Sequence, residues 1–228
     1  MTTSEDIASL HDVPAEVKTG RSGKAAATRR RICASAQRLF AEAGYAGATM
    51  EAVAVDAGVA VQTVYFVFHT KAELLRAAFD SAVLGDLDAP PPPEQEWFRR
   101  ALNDPDPGRA IDLFVAGNAK IHARVGPLVG VLQASGVAEV RDLFRDRERL
   151  RWEGYNLFAR SLQRRRALSM SSKDATDVLF ALLSPHIHAV FNTCGWTERK
   201  WERWTREALR RQLLSSEQTS HGTRANSR

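Results

Sequence analysis

Residues 58–75 read GVAVQTVYFVFHTKAELL, a mostly apolar stretch that also carries a glutamine, two threonines, a tyrosine and a lysine. Amide and hydroxyl groups donate and accept hydrogen bonds, and a lysine ammonium group donates them and carries a positive charge. Such a set can recognise a polar partner, but it can also form the solvated face of an ordinary pair of helices. The elements on either side of the stretch favour the first interpretation.

The segment before this stretch predicts a helix that ends at a glycine. Apolar residues recur at helical spacing up to Gly44, which is typical of a left-handed helix end. Thr49 can cap a short second helix that runs to about residue 56. Gly58 permits a sharp turn, and a third short helix follows over residues 60–66. The apolar positions of the first helix are Ile32, Ala36, Leu39, Phe40 and Ala43.

A fourth helix and a basic cluster complete the pattern. Thr70 and Glu73 form a capping box that opens a helix to about residue 84. Residues 17–41 contain seven basic residues and no acidic one, which suits a nucleic-acid phosphate backbone. Two short helices joined by a tight turn after a basic helix predict a helix-turn-helix that binds DNA. The basic residues are Lys18, Arg21, Lys24, Arg29, Arg30, Arg31 and Arg38.

The order of residues 24–84 resembles the N-terminal domain of TetR-family (TetR/AcrR) repressors. RRRICASAQRLFAEAGYAGATMEAVAVDAGV matches the first two helices of that family, and GVAVQTVYFVFHTKAELL matches its recognition helix and the turn after it. The resemblance implies a transcriptional regulator, a repressor, that binds a double-stranded DNA operator as a homodimer. It also implies a C-terminal domain that senses a small molecule. The sequence does not decide between repression and activation.

The resemblance also assigns DNA contacts to individual residues. Thr49 caps its helix and contacts phosphate, while Val61 and Gln62 face base edges, where glutamine can pair with adenine. Lys71 holds a phosphate together with backbone N–H groups at the start of its helix. The full predicted set is Arg29, Arg30, Thr49, Val61, Gln62, Thr63, Tyr65, Phe66 and Lys71.

The remaining contacts of the set include two hydroxyls and one ring. Thr63 and Tyr65 fit phosphate or base-edge contacts, and Phe66 fits a thymine methyl group or a sugar. Two positions depart from the family pattern, because many relatives have Ser in place of Ala60 and Tyr or His in place of Val67. These departures weaken the expected contacts and allow an unusual operator.

Beyond the helix-turn-helix, GDLDAPPPP at residues 85–93 predicts a linker. No alternating run is long enough for a strand, so the predicted fold is all-α, with a DNA-binding domain over residues 24–84 and a larger ligand-binding and dimerisation domain over residues 94–214. Residues 1–23 are predicted to be a flexible basic tail and residues 215–228 a second flexible tail. The C-terminal helices are predicted over residues 94–102, 107–124, 127–134, 137–166, 172–193 and 197–214.

The last two predicted helices carry wide apolar stripes. Their sequence is also similar to the last two helices of actinobacterial-type members of the same family. Two such helices can pair with their symmetry mates, although ordinary core packing inside one chain explains part of the pattern. We therefore expect a homodimer through the C-terminal helices. The stripes consist of Val178, Leu179, Leu182, Leu183, Ile187, Val190 and Phe191, and of Trp201, Trp204, Ala208 and Leu209.

Aromatic and polar residues on the C-terminal helices predict a pocket for an apolar or aromatic effector, although several of them can equally belong to the core. His186 and His188 invite a metal site. However, residues two apart on a helix point in different directions, and helical zinc pairs use i, i+4 spacing, so we expect no metal and no cofactor. The predicted pocket residues are Phe114, Asn118, His122, Trp152, Tyr155, Phe158, His186 and His188.

The composition narrows the remaining classes of function. The net charge is +5, and Cys33 and Cys194 are the only cysteines, which favours reduced thiols in a cytoplasmic protein. Neither a signal peptide nor a membrane span is expected. GxSxG, HExxH and phosphate-loop motifs are absent, so no enzyme is expected. The alternatives are a helical interaction or adaptor protein that does not bind DNA, and an enzyme whose catalytic groups lie far apart in sequence.

Overall fold

The computed structural model describes residues 15–215, with side chains from residue 23 onward. Over that range the chain forms helices joined by short loops, with one isolated β-bridge between Leu168 and Leu214 and no strand. The predicted all-α fold is therefore confirmed. The helices are α1 (Ala15–Gly47), α2 (Met50–Ala57), α3 (Val61–Phe68), α4 (Lys71–Leu84), a 3-10 turn (Pro92–Glu94), α5 (Glu96–Asn103), α6 (Pro107–Ala134), α7 (Ala138–Arg164), α8 (Ser172–Leu182), α9 (Pro185–Thr193) and α10 (Glu198–Leu213).

Helix α1 begins at Ala15, inside the segment for which the sequence predicts a flexible tail. Residues 15–23 include two glycines and have weak helix propensity. Adding residues to an existing helix costs less than starting one, so the stronger helix that follows extends back into this segment. Residues 1–14 of the first predicted tail and residues 216–228 of the second lie outside the described residues.

The helix-turn-helix is built from local signals in the sequence. Gly44 breaks α1 with a φ of 68°, a value that glycine adopts at little cost. The Oγ1 atom of Thr49 accepts a hydrogen bond from the N–H of Ala52 at 3.0 Å, which confirms the predicted cap of α2. Gly58 has a φ of 64°, and the chain bends by 113° between α2 and α3. The two short helices therefore cross sharply, as the sequence predicts.

Helix α4 connects this domain to the rest of the chain. The Oγ1 atom of Thr70 accepts a hydrogen bond from the N–H of Glu73 at 3.1 Å, as predicted for the start of this helix. Gly85 ends α4 with a φ of 88°. Helices α1–α4 enclose one apolar core, whose members include Ile32, Phe40, Val53, Val64, Phe68, Leu74 and Leu75.

Helix α6 runs without interruption where the sequence predicts two helices. Pro127 lies inside it and removes one backbone hydrogen bond. Both halves of α6 are nevertheless held by packing, because Ile111 and Phe114 lie in the C-terminal core while Leu128 and Leu132 lie in the N-terminal core. The burial of two long apolar faces outweighs the local cost of the proline. As a result, α6 is shared by both cores.

The opposite error occurs further along, where one helix predicted over residues 172–193 is two. Helix α8 ends at Leu182 and α9 begins at Pro185. The Oγ atom of Ser184 caps α9 by accepting a hydrogen bond from the N–H of His186 at 3.2 Å. Proline suits the first position of a new helix and cannot donate to the turn before it. Because the apolar spacing continues from α8 into α9, the sequence pattern did not predict that the helix ends here.

The C-terminal core is built around aromatic side chains. The rings of Phe114 on α6 and Phe158 on α7 stack with centroids 4.0 Å apart, and both residues are fully buried. Trp201 of α10 is fully buried in the same core. Aromatic residues bury large apolar areas, so this core rigidly positions the helices that surround the cleft described below.

Candidate nucleic-acid interface and ligand cleft

Helix α3 divides its side chains between the core and the outside. Val64 and Phe68 are buried, whereas Gln62 and Phe66 point outward. Phe66 is 81% exposed. Large apolar side chains exposed together with polar ones often mark an interaction surface. Helix α3 therefore has the form of a recognition element, with Gln62 and Phe66 on its outer face.

Three other positions of α3 are less exposed than Phe66. Val61 is half-buried and packs against the N-terminal core, and Thr63 is also half-buried. Tyr65 is 44% exposed, and its hydroxyl group donates a hydrogen bond to Glu51 Oε1 at 3.2 Å. A Tyr65 contact to phosphate would require this hydroxyl to leave a carboxylate on α2.

Lys71 and Thr49 lie near the loop that precedes α2. The Nζ atom of Lys71 donates a hydrogen bond to the Ala46 carbonyl at 3.1 Å and lies 4.8 Å from the centroid of the Tyr45 ring. Partial burial lowers the pKa of Lys71. Thr49 is exposed beside this loop and caps α2. Both side chains are thus oriented by the protein itself before any partner binds.

The two arginines of the predicted set are held in different places. The guanidinium group of Arg29 lies 4.8 Å from the centroid of the Phe68 ring, at the end of α3. Arg30 instead contacts the linker, where its Nε atom lies 3.0 Å from Asp86 Oδ1 and its Nη2 atom pairs with Asp88. The structure therefore does not bring Arg30 to α3. Ion pairs between residues more than fifty positions apart leave no signal in the local sequence.

A second feature is a cleft of about 590 Å³. It lies between α4, the linker, α5, α6 and α7, and most of its lining is apolar. Side chains from α4 and from the linker form one wall. This wall was not predicted from the sequence, because α4 was assigned to a DNA-binding domain and residues 85–93 to a linker. The residues missed include Phe79, Val83, Leu84, Pro91, Pro92, Pro93, Trp97 and Phe98.

Three of the eight predicted pocket residues line this cleft: Asn118, His122 and Tyr155. The other five do not. Phe114 and Phe158 form the core behind it, because the helical pattern distinguishes a buried face from an exposed one but not a cleft from a packed interior. The remaining three are turned elsewhere: Trp152 donates to Asp177 Oδ1 at 3.2 Å, His186 is exposed, and His188 Nε2 lies 2.9 Å from Glu198 Oε2.

The polar groups of the lining form a small network. The Tyr155 hydroxyl oxygen lies 2.8 Å from Asn118 Oδ1 and 3.2 Å from the Leu183 carbonyl oxygen. Asn118 Nδ2 donates to the Phe114 carbonyl at 2.8 Å. His122 is only 2% exposed, and its Nδ1 atom has no hydrogen-bond partner among the described residues. Burial, reinforced by the neighbouring His188 and Arg151, lowers the pKa of His122 to about 3.

The linker is held against the cleft by one glutamine and one tryptophan. The indole Nε1 of Trp97 donates to Gln95 Oε1 at 2.8 Å. Gln95 Nε2 in turn donates to the carbonyl groups of Leu84 at 3.1 Å and Pro90 at 2.8 Å. The Trp97 ring lies directly on Gly117 of α6, where a Cβ atom would come within 1.9 Å of the ring. Gly117 is therefore required for the observed position of Trp97.

Helix α4 is also tied to α6 and α7 by charged side chains. Arg147 Nη2 of α7 lies 3.0 Å from Asp80 Oδ2 of α4. Arg124 of α6 donates from Nε to the Ala82 carbonyl at 2.6 Å and from Nη2 to the Val83 carbonyl at 3.1 Å. A displacement of α6 or α7 would thus act directly on α4, which is part of the N-terminal core.

Helices α9 and α10 leave apolar side chains partly uncovered. The ring centroid of Phe191 lies 4.5 Å from that of Trp196 and 4.9 Å from that of Trp204, and Val190 is 47% exposed. In contrast, Leu179, Leu183, Trp201 and Leu209 of the predicted stripes are fully buried within the chain.

The described residues contain no cluster of three or more His, Cys, Asp or Glu side chains that could hold a metal ion. Within the same part of the chain, no single helix is long and apolar enough to cross a membrane. Helices α2 and α3 reach that length only together, and they are bent by 113°.

Comparison with known proteins agrees with this architecture. Residues 32–78 match the family model of the bacterial regulatory proteins of the tetR family. No curated protein matches the chain. Several solved structures share its fold over most of its length.

One of these structures is NalD from Pseudomonas aeruginosa, the secondary repressor of the MexAB-OprM multidrug efflux pump. The TM-score is 0.66 at 22% identity, and the match covers 84% of this chain and 99% of NalD. The complex of SmeT with triclosan gives a TM-score of 0.67 at 19% identity, covering 84% of this chain and 94% of SmeT. A TetR-family regulator from Rhodococcus sp. gives 0.61 at 16% identity, covering 83% and 100%. Residues 32–78 thus match the tetR family of bacterial regulatory proteins, and most of the chain shares the fold of these regulators.

Proposed function

We propose that this DNA-binding regulator is a repressor that binds a pseudo-palindromic operator as a homodimer and is released by a small molecule. The observation that carries the proposal is the outer face of α3, where Gln62 and the 81% exposed Phe66 lie side by side on a helix whose other face is buried.

In the DNA-binding part of the proposal, some side chains contact base edges and others contact phosphates. Gln62 can form two hydrogen bonds to an adenine edge, and the Phe66 ring can contact a thymine methyl group. Lys71, Thr49 and Arg29 surround this helix and are suited to phosphate contacts. Because Lys71 already donates to the Ala46 carbonyl, a phosphate would have to replace that acceptor.

The homodimer is supported by the uncovered side chains of α9 and α10. Val190, Phe191 and Trp204 are exposed or half-buried there, although most of the C-terminal core is completely buried. Pairing these helices with those of a second copy would cover this surface. A two-fold dimer reads two half-sites about one helical turn, roughly 34–36 Å, apart or more.

Release by a small molecule is supported by the position of the cleft. Phe79, Asp80, Val83 and Leu84 of α4 form part of its lining, so a bound molecule would touch the helix that connects to the DNA-binding domain. A ligand can weaken DNA binding only if it binds better to the arrangement that does not fit the operator. Contacts to α4 provide a direct way for a ligand to favour one arrangement over the other.

The test begins with selection of bound DNA from a random pool, which identifies the operator without knowledge of the regulated gene. We expect Gln62→Ala and Phe66→Ala each to weaken operator binding about tenfold or more and to change binding to scrambled DNA much less. Val137→Ala is the matched control, since Val137 is an exposed apolar residue outside the helix-turn-helix.

Equal losses on operator and scrambled DNA would contradict the assignment of α3 as the reading element. A reporter gene placed behind the selected operator tests the sign of regulation. We expect its expression to fall when the protein is present, and a rise would identify an activator instead.

A further inference from the structure

His122 is an unusual side chain in the lining of the cleft. It lies on α6, is only 2% exposed, and borders the space enclosed by α4, α5 and α7. Its Nδ1 atom is buried and has no hydrogen-bond partner among the described residues. A buried polar atom without a partner costs free energy, so an unsatisfied atom on a side chain that lines a cleft points to a partner bound there.

The protonation state of His122 determines what kind of partner Nδ1 can take. Burial holds the ring neutral, with a pKa of about 3, and the Leu183 backbone offers the ring a hydrogen-bond acceptor. A neutral imidazole has one N–H donor and one acceptor nitrogen. Nδ1 has no partner among the described residues, so the ring nitrogen that faces the Leu183 carbonyl is Nε2. With the single proton of the neutral ring on Nε2, Nδ1 is an acceptor. Whatever fills the position opposite Nδ1 must therefore donate a hydrogen bond.

The charges of the cleft favour an occupant without a net charge. Every charged side chain in the described lining forms an ion pair inside the protein, so none of them is left to balance a charged ligand. A charged molecule would have to break one of these pairs or enter the cleft unpaired, and burying an unpaired charge is costly. The pairs are Asp80 with Arg147 at 3.0 Å, Glu148 with Arg151 at 2.7 Å, and Glu153 with Arg149 at 2.8 Å.

The other polar lining groups do not distinguish a donor from an acceptor on the ligand. Asn118 and Tyr155 hydrogen-bond each other at 2.8 Å. The Nε atom of Arg147 is buried without a partner among the residues that the structure describes, but it is a donor that either a hydroxyl or an ether oxygen can satisfy. His122 is thus the lining residue that can select for a hydrogen-bond donor.

We propose that the effector of this regulator is a neutral, largely apolar ring compound whose hydroxyl or N–H group donates a hydrogen bond to His122 Nδ1. The proposal rests on the ligand-binding role given above for the cleft, and it adds the chemical class of the effector and the residue that recognises it.

The test compares two probes that differ only in a methyl group, which replaces the hydroxyl hydrogen in the second probe. 4-Phenylphenol has a donor hydroxyl group, and 4-methoxybiphenyl carries an ether in its place. Both are titrated into the full-length protein by calorimetry, and quenching of tryptophan fluorescence gives a second readout because one of the five tryptophans, Trp97, lies in the lining. We expect the phenol to bind about tenfold more tightly than the ether, a difference of about 1.4 kcal/mol.

His122→Phe removes the acceptor and keeps a ring, so the phenol should lose its advantage and bind about as well as the ether. Val137→Ala, at an exposed position outside the cleft, is the control and should leave the preference in place. The comparison of the two probes in the parent protein does not depend on how well any variant folds.

Three outcomes would overturn the proposal: equal affinity of the two probes in the parent, a preference that survives in His122→Phe, or no binding of either probe. Operator binding without any probe is measured in the same samples. A protein that binds its operator but does not prefer the phenol has the proposed DNA-binding function with a different effector. A protein that prefers the phenol but binds no operator contradicts the regulatory function instead.

Discussion

The buried neutral His122 predicts a specific loss of stability in mild acid. Its pKa falls from 6.5 to about 3 in the folded protein, mainly because of burial. The unfolded chain therefore binds a proton at His122 at a higher pH than the folded chain does. The free energy of unfolding is unaffected above the unfolded pKa and decreases as the pH falls below it, until the folded pKa is reached. Between about pH 7.5 and about pH 5 this single group should lower the free energy of unfolding by about 2 kcal/mol.

Urea unfolding of the parent and of His122→Gln, at both pH values and at one protein concentration, isolates this contribution. Glutamine does not titrate, and it can still donate and accept hydrogen bonds. All other titrating groups are common to the two proteins, so the parent should lose about 2 kcal/mol more than the variant over this range. If both proteins lose the same free energy within about 0.5 kcal/mol, His122 is not held neutral by burial, and Nδ1 loses its assignment as a fixed acceptor.

Two further predictions concern the cleft wall and the DNA contacts. Gly117→Ala should destabilise the protein by about 1–3 kcal/mol and shift the tryptophan emission, because a Cβ atom would lie 1.9 Å from the Trp97 ring. The control Gly130→Ala adds the same atom to the same helix in open space and should stabilise slightly or have no effect in thermal unfolding. Lys71→Ala should weaken binding to all DNA sequences alike and reduce the slope of log affinity against log salt by about 1 for each phosphate contact, whereas Gln62→Ala should cost about 1–3 kcal/mol on the operator only. If filter binding over a salt series gave the same pattern for both variants, the separation of reading from positioning would fail.

The N-terminal domain was predictable because its signals are local. A glycine with positive φ, a threonine cap and a capping box act within a few residues of each other, and all three appear as expected at Gly44, Thr49 and Thr70. The inward direction of Val64 and Phe68 follows from helical spacing within one short element. The start of α1 was not predictable in this way, because a neighbouring helix overrode weak local propensity.

The C-terminal domain was predictable only in outline. Apolar spacing located its helices but joined α8 to α9 across Pro185 and divided α6 at Pro127. Whether a proline breaks a helix depends on the packing of the residues on both sides, and α6 is packed into both cores. A one-dimensional pattern does not contain that information.

By itself, the sequence determined the fold class, the helix-turn-helix and the side chains on the outer face of α3, since these depend on contacts between near neighbours in the chain. Only the tertiary structure showed that Arg30 pairs with the linker, that Trp97 packs on Gly117, and that α4 forms a wall of the cleft. It also separated His122, which lines the cleft and has a nitrogen without a partner in the described part of the chain, from Phe114, which lies in the core behind the cleft. Both residues lie on the buried side of the same helix, and helical periodicity assigns them the same environment. Whether such a residue meets another side chain or an open space is decided by the helices packed opposite it, which come from distant parts of the chain.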